Sequence, residues 1–274
     1  MDVKEELLEK ERRLKEILRG CGSIAVAYSG GVDSTYLADV AHEALGDNAH
    51  MILDDSPSIP RSELEEAKAL AKTRGWRLAL VQTDEFANEA FLKNDRQRCY
   101  VCKSVLFNEM LAYAREHGIA VLAYGENADD PQDAARVGAM AAAEKGVVAP
   151  LQQAGLTKDD IRQLSARRGL PTWDKASFAC LSSRFPPGTR ITLDAMQQIE
   201  RAEETLKRLG FHQYRARHHG DLCRIEIEPA EFDKMLDLKT REHVVREIRA
   251  AGYRHVTLDL KGYQAPGQTG GASG

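Results

Sequence analysis

The stretch SIAVAYSGGVDSTYLADVAHEAL, residues 23–45, decides the fold. Ser23 to Tyr28 is a short apolar run that reads as a buried strand. Thr35 to Leu45 reads as a helix, and the hexapeptide Ser29 to Ser34 (SGGVDS) joins the two. Gly30 and Gly31 let the backbone turn tightly and bring successive N–H groups toward an anion. The helix that follows adds its positive end, while Ser29, Ser34 and Thr35 add hydroxyls. Asp33 would repel a bare phosphate, so it calls for a divalent cation bridging carboxylate and phosphates. The loop is neither the Walker pattern nor GxGxxG.

Outward from this loop, strands and helices alternate. A helix over residues 4–19 precedes it. His50 to Leu53, Leu78 to Gln82 and Ala120 to Tyr124 read as further strands. Glu63 to Arg74, Ser104 to His117 and Asp133 to Lys145 read as helices. That alternation predicts a parallel sheet covered on both faces. After about Pro171 the texture changes. Thr192 is an N-cap for a helix to Leu209. Two strands follow (Gln213 to His219, Leu222 to Glu228), then a helical stretch from Ala230 to Ala251 and a last strand near His255 to Leu258. The expected organisation is an α/β parallel-sheet domain over residues 1–170, a smaller α+β domain over 171–262 and a disordered Gly-rich tail over 263–274.

The 274 residues carry 38 Lys plus Arg against 42 Asp plus Glu, a net charge of −4 that gives no general attraction to nucleic acid. With 43% hydrophobic and 29% charged residues the chain can bury a core, which excludes wholesale disorder. The apolar runs are too short for a membrane span, and the charged N-terminus has no signal-peptide core, so the expected location is cytoplasmic.

Five cysteines, Cys21, Cys99, Cys102, Cys180 and Cys223, argue against a disulfide framework in such a protein. Cys99 and Cys102 form a CxxC in a basic stretch just before an expected helix. By itself this is open between a redox pair, half a zinc site, part of an iron–sulfur site and free thiols. Cys180 has Lys175, Arg184 and Arg190 nearby in sequence. Cys21 and Cys223 read as structural. Arg215 and Arg217 alternate along a strand, so their side chains share one face, suited to bidentate phosphate binding.

SGGVDS resembles the PP-loop of the ATP pyrophosphatases, which have an adenine nucleotide alpha hydrolase-like fold and cleave ATP between its α and β phosphates. Gly125-Glu126-Asn127-Ala128-Asp129-Asp130, at the end of the fourth strand, resembles that superfamily's GxNxDD segment. With RCYVCK (98–103), the run from Trp173 to Thr192 around Cys180, and Arg215, Arg217, His218 and Gly220, the chain resembles the LarE family from about residue 4 to 260. That family comprises ATP-dependent sulfur insertases for the nickel-pincer cofactor of lactate racemase.

The resemblance implies that pyridinium-3,5-biscarboxylic acid mononucleotide is adenylated on its carboxylates, which then become thiocarboxylates. It implies ATP binding by Ser29, Gly30, Gly31, Asp33, Ser34, Gly125 and Asn127, with Mg²⁺ on Asp33. It implies substrate contacts by Arg184, Arg215 and Arg217, and Glu203 near Cys180. One branch of the family uses a cysteine matching Cys180 as a sacrificial donor. The other holds a [4Fe-4S] cluster on three cysteines, and Cys99, Cys102 and Cys180 place this chain with that branch. A sulfide donor and a homo-oligomer are implied partners. The alternatives are a tRNA thiolase, an ammonia-using synthetase, or a nucleotide-sensing module that would not need Asp33 and the cysteines together.

Overall fold

The structure is a computed structural model, and it describes residues 3–130, 137–176 and 179–264. In chain order the first part runs α1 (Val3–Gly20), β1 (Ile24–Ala27), α2 (Val32–Leu45), β2 (Ala49–Asp54), α3 (Arg61–Arg74), β3 (Arg77–Val81), a short α4 (Glu89–Leu92), α5 (Arg98–His117), β4 (Val121–Tyr124), α6 (Val137–Glu144), α7 (Pro150–Gln153) and α8 (Lys158–Arg167). The remainder runs α9 (Leu193–Arg208), β5 (Tyr214–His219), β6 (Leu222–Ile227), α10 (Phe232–Leu236), α11 (Leu238–Ala250) and β7 (His255–Leu258). Two compact units result. One holds the chain to Phe91 and Asp95–Lys175; the other holds Leu92–Asn94 and the chain from Ala176.

The first unit is the expected parallel α/β layer. Its sheet has the order β3-β2-β1-β4, with every pair parallel. Side chains alternate across the strands. Ile24, Val26, Met51, Leu53 and Ala123 join Leu14, Leu18, Tyr36, Leu37 and Leu164 in one core. Ala25, Ile52 and Leu122 join Phe107 and Met110 in another. Both faces are covered, so β1 and β2 are apolar at nearly every position.

Helix α8 has no counterpart in the sequence reading, although its start is chemically marked. Thr157 accepts from the Asp160 N–H, and the Asp160 carboxylate accepts from the Thr157 N–H, a reciprocal capping box. Lys10 of α1 donates to the same Asp160 at 2.8 Å.

Helix α5 begins six residues earlier than Ser104, the expected start. The Asp95 side chain accepts from the Gln97 N–H at 2.7 Å and turns the chain into the helix. Cys99 and Cys102 therefore lie on the first turn of α5 and not ahead of it. Of the expected helix 133–145, residues 133–136 lie outside the described residues.

In the second unit β5 and β6 form an antiparallel hairpin through Gly220, whose φ of +65° suits glycine. β7 then joins β6 in parallel after crossing over through α10 and α11. Thr192 caps α9 as expected, accepting from the Ala195 N–H. The stretch from Ala230 to Ala251 is broken where Asp237 leaves helical geometry (φ −53°, ψ 134°) and caps α11 through the Thr240 N–H. Ala202, Leu206, Tyr214, Ala216, Ile225 and Ile248 form this unit's core.

Leu92–Asn94 belongs to the second unit through main-chain bonds. Ile191 N–H donates to the Leu92 carbonyl and Gly188 N–H to the Asn94 carbonyl, each at 2.9 Å. The Asn94 amide donates to the Pro186 carbonyl at 2.8 Å. Among the described residues no helix is long and apolar enough to cross a membrane.

Candidate functional site

In the first unit the loop after β1 is shaped by its own hydroxyls. Ser34 Oγ accepts from the Ser29 N–H at 3.1 Å and lies 3.0 Å from Ser29 Oγ. Gly30 sits at φ +71°, and a Cβ there would stand 2.9 Å from Ala67 Cβ on α3. Gly31 forms the N-cap of α2 with extended backbone and without a side-chain cap, leaving the helix's first N–H groups pointing outward.

Gly125, at the end of β4, packs directly onto this loop. A Cβ on Gly125 would lie 2.9 Å from Ser34 N and 3.1 Å from Ser34 Cα. Only glycine allows β4 to end so close to the start of α2, so Gly125 shapes the cradle from the neighbouring strand.

Asp33 has two unlike oxygens. Oδ2 is 2.7 Å from Lys158 Nζ and 3.5 Å from Asn127 Nδ2. Oδ1 is buried and has no hydrogen-bond partner among the described residues. An unpartnered buried carboxylate oxygen beside a phosphate-type loop fits a hard divalent cation. The loop after β4 is also self-braced: Asn127 Oδ1 accepts from Asp129 N–H, and Asp130 Oδ2 accepts from Asn127 N–H.

Lys175, the last residue of this unit, clamps the other flank. Its ammonium lies 3.4 Å from the Gly30 carbonyl, 2.5 Å from Glu63 and 3.2 Å from Glu66. Arg162 of α8 donates to the Trp173 and Lys175 carbonyls, fixing the segment that carries this lysine.

In the second unit the turn after Cys180 is built around Arg184. This arginine is 0% exposed and meets Glu203 of α9 edge on. Its Nη1 donates to the Ala179 and Cys180 carbonyls at 2.7 and 3.1 Å. Burial opposes the charge of Arg184, but the Glu203 carboxylate outweighs it, so its pKa stands above the ordinary value. Glu203 Oε1 also accepts the Ala216 N–H of β5 at 3.0 Å. Cys180 Sγ lies 2.9 Å from Ser182 Oγ.

Arg215 and Arg217 lie on the face of β5 opposite the core-facing Ala216. Arg217 donates twice to Glu226 (3.0 and 2.8 Å) and once to the Ser183 carbonyl (2.9 Å). Arg215 is 3% exposed, donates to the Tyr214 carbonyl and lies 4.9 Å from the Tyr263 ring centroid. Burial, with Arg184 adding repulsion, pulls its pKa down to about 10.

Cys99 and Cys102 are three positions apart on α5 and so neighbour one another on its surface. Cys99 is exposed and accepts from Arg98 at 3.5 Å; Cys102 is half-buried. They belong to the first unit and Cys180 to the second. Among the described residues no three His, Cys, Asp or Glu side chains are gathered as a metal site.

The structure thus brings together Ser29, Gly30, Gly31, Asp33, Ser34, Gly125 and Asn127 in one unit. It brings together Cys180, Arg184, Glu203, Arg215 and Arg217 in the other. Lys158 has no mark of its own in the sequence, and neither do the contacts of Lys175 with Glu63 and the Gly30 carbonyl. The Thr157-x-x-Asp160 capping signal would have located α8 and, with it, Lys158.

No family model matches the chain. An uncharacterized protein of Synechocystis sp. is 41% identical over 94% of this chain and 96% of its own length. The pyridinium-3,5-bisthiocarboxylic acid mononucleotide synthase of Lactiplantibacillus plantarum is 33% identical over 94% of this chain and 93% of its own. The argininosuccinate synthase of Haloarcula marismortui is 27% identical over 56% of this chain and 38% of its own.

Proposed function

The chain belongs to the LarE family, and on that premise we propose that it converts the carboxylates of pyridinium-3,5-biscarboxylic acid mononucleotide to thiocarboxylates at the expense of ATP. It is an ATP-dependent sulfurtransferase of the PP-loop superfamily. A substrate carboxylate oxygen attacks the α-phosphorus of ATP, pyrophosphate leaves, and an acyl-adenylate forms. A sulfur nucleophile then attacks the activated carbonyl carbon and AMP leaves.

The observation that carries this reading is Asp33, with its bare buried oxygen at the start of α2. Asp33 would hold Mg²⁺, whose charge stabilises the departing pyrophosphate. Ser29, Gly30, Gly31 and Ser34 would hold the phosphates with main-chain N–H groups and hydroxyls. Gly125 and Asn127 would close the cradle from β4. Arg215 and Arg217 would bind the anionic groups of the substrate. Arg184 and Glu203 are positioning residues for the Cys180 turn, because the guanidinium spends its donors on carbonyls and on Glu203.

For the sulfur source, the thiolate donor set of Cys99, Cys102 and Cys180 has the chemistry to hold a [4Fe-4S] cluster. When bound, such a cluster supplies an open iron that carries a transferable sulfide. Three cysteines favour that reading over sacrifice of Cys180. The residue spans 1–170 and 171–262 are proposed as the ATP-splitting and substrate domains, the latter also forming the contacts of a homo-oligomer. Cytoplasmic location and an external sulfide donor belong to the same proposal.

The experiment is iron and acid-labile sulfide content of protein purified without oxygen, beside Cys→Ala variants at 99, 102 and 180. About four irons per chain, lost in each variant, is the expected result. Iron-free reconstituted protein, together with loss of one H₂S from Cys180 after turnover, would replace the cluster with the sacrificial route.

A further inference from the structure

Lys158 faces the bridging position of the ATP cradle without being part of any motif in the loop. Its main-chain N–H donates to Asp129 Oδ2 at 2.7 Å, and the Thr157–Asp160 capping box fixes the helix start on which it stands. The root of the side chain is therefore held from two sides. Its stem is not: the side chain is 36% exposed, and its ammonium ends 2.7 Å from Asp33 Oδ2. Asp33 Oδ1, on the same carboxylate, is buried without a partner among the described residues.

A single carboxylate cannot comfortably serve two cations. A divalent ion on Oδ1 would bring two positive charges within a few ångströms of the ammonium, and that repulsion favours moving the partly exposed lysine stem. We propose that Lys158 is a positioning residue that neutralises Asp33 in the nucleotide-free protein and gives it up when a divalent cation arrives with nucleotide. The released ammonium then pairs with the pyrophosphate oxygens. The exchange keeps Asp33 charge-balanced before binding and puts an extra cation on the leaving group afterwards. It rests on the reading of this loop as an ATP site.

The test is Mn²⁺ affinity of the full chain, measured by the loss of the free-ion paramagnetic signal, first without nucleotide and then with inorganic pyrophosphate. Lys158→Met is expected to bind Mn²⁺ about threefold more tightly than the parent without nucleotide, the size of a partly exposed ion pair. It is expected to bind Mn²⁺–pyrophosphate more weakly than the parent. Lys158→Arg should leave both affinities near the parent's, and Lys158→Gln replaces the methionine variant if that one does not fold. Equal or weaker Mn²⁺ binding by Lys158→Met without nucleotide overturns the proposal. Asp33→Asn separates the two layers. If it leaves Mn²⁺–pyrophosphate binding intact, the ATP-site reading itself fails; if it abolishes that binding while Lys158→Met has no effect, only the role of Lys158 does.

Discussion

The Arg184 guanidinium and the Glu203 carboxylate share two parallel hydrogen bonds, Nε to Oε1 at 2.7 Å and Nη2 to Oε2 at 2.8 Å. Neither side chain has appreciable access to water. The pair ties the Cys180 turn to α9, and through the Ala216 N–H it also ties α9 to β5. Removing one partner leaves the other charge buried and uncompensated, which costs more than the pair itself contributes. Glu203→Gln should therefore lower stability by about 3 kcal/mol, read as a shift in the urea midpoint. The double variant Arg184→Met/Glu203→Leu should recover part of that loss. An unchanged midpoint in Glu203→Gln would show that the pair is not structural.

Gly125→Ala tests the packing of β4 on the ATP loop. The added methyl meets main-chain atoms of Ser34, which cannot rotate away. Stability should fall by about 1–3 kcal/mol, since main-chain atoms must shift to admit the methyl. Adenylation, followed as pyrophosphate–ATP exchange, should fall about 100-fold as the cradle shifts. Parent-like exchange would mean that the loop gives way without consequence.

Asp54 at the end of β2 makes stability depend on pH. Burial pushes its pKa up to about 6 from 3.8, with Glu85 adding to the rise. Thr83 Oγ1 stands 2.8 Å from Asp54 Oδ1 and 2.5 Å from Glu85 Oε2. A hydroxyl has one proton, so it satisfies both carboxyls only when one of them is itself protonated. The folded protein thus holds a proton that the unfolded chain releases above its ordinary pKa. This group's contribution is full below about pH 4 and is lost as pH rises through about 6. Asp54→Asn should remove that slope, gaining on the order of 2 kcal/mol over the parent at pH 7.5 relative to pH 4. Parallel pH–stability curves for the two proteins would refute this.

The five thiols should divide by reactivity. Cys223 is fully buried in β6, and burial pushes its pKa up to about 12. Cys99 is exposed, and Cys102 and Cys180 are half-buried. Iodoacetamide on reduced, iron-free protein should alkylate Cys99 first and reach Cys223 only after unfolding. Peptide mass mapping reads the order directly, and early labelling of Cys223 would contradict the packing of the second core.

Much of the first unit was legible because its signals are local. Each buried strand is an apolar run, and the two-glycine loop follows one of them without a gap. Thr192 likewise announced α9 from one residue. What escaped reading depends on partners distant in sequence. Nothing near Lys158 indicates that its ammonium reaches Asp33, and nothing near Gly125 indicates that Ser34 will press against its α-carbon. Nothing near Arg184 in sequence announces its burial against Glu203, which exists only after α9 has packed. The start of α5 was missed for a local reason, since Asp95 turns the chain ahead of a helix that lacks a side-chain cap of its own.

The turn at Cys180 is held by its carbonyl, which accepts from Ser183 N–H, Ser183 Oγ and Arg184 Nη1. The sulfur takes no part in those carbonyl contacts; it lies against the Ser182 hydroxyl and close enough to Arg184 to act on its charge. The main chain at this position is thus held through its carbonyl, so the turn's hydrogen bonds do not depend on the sulfur being present.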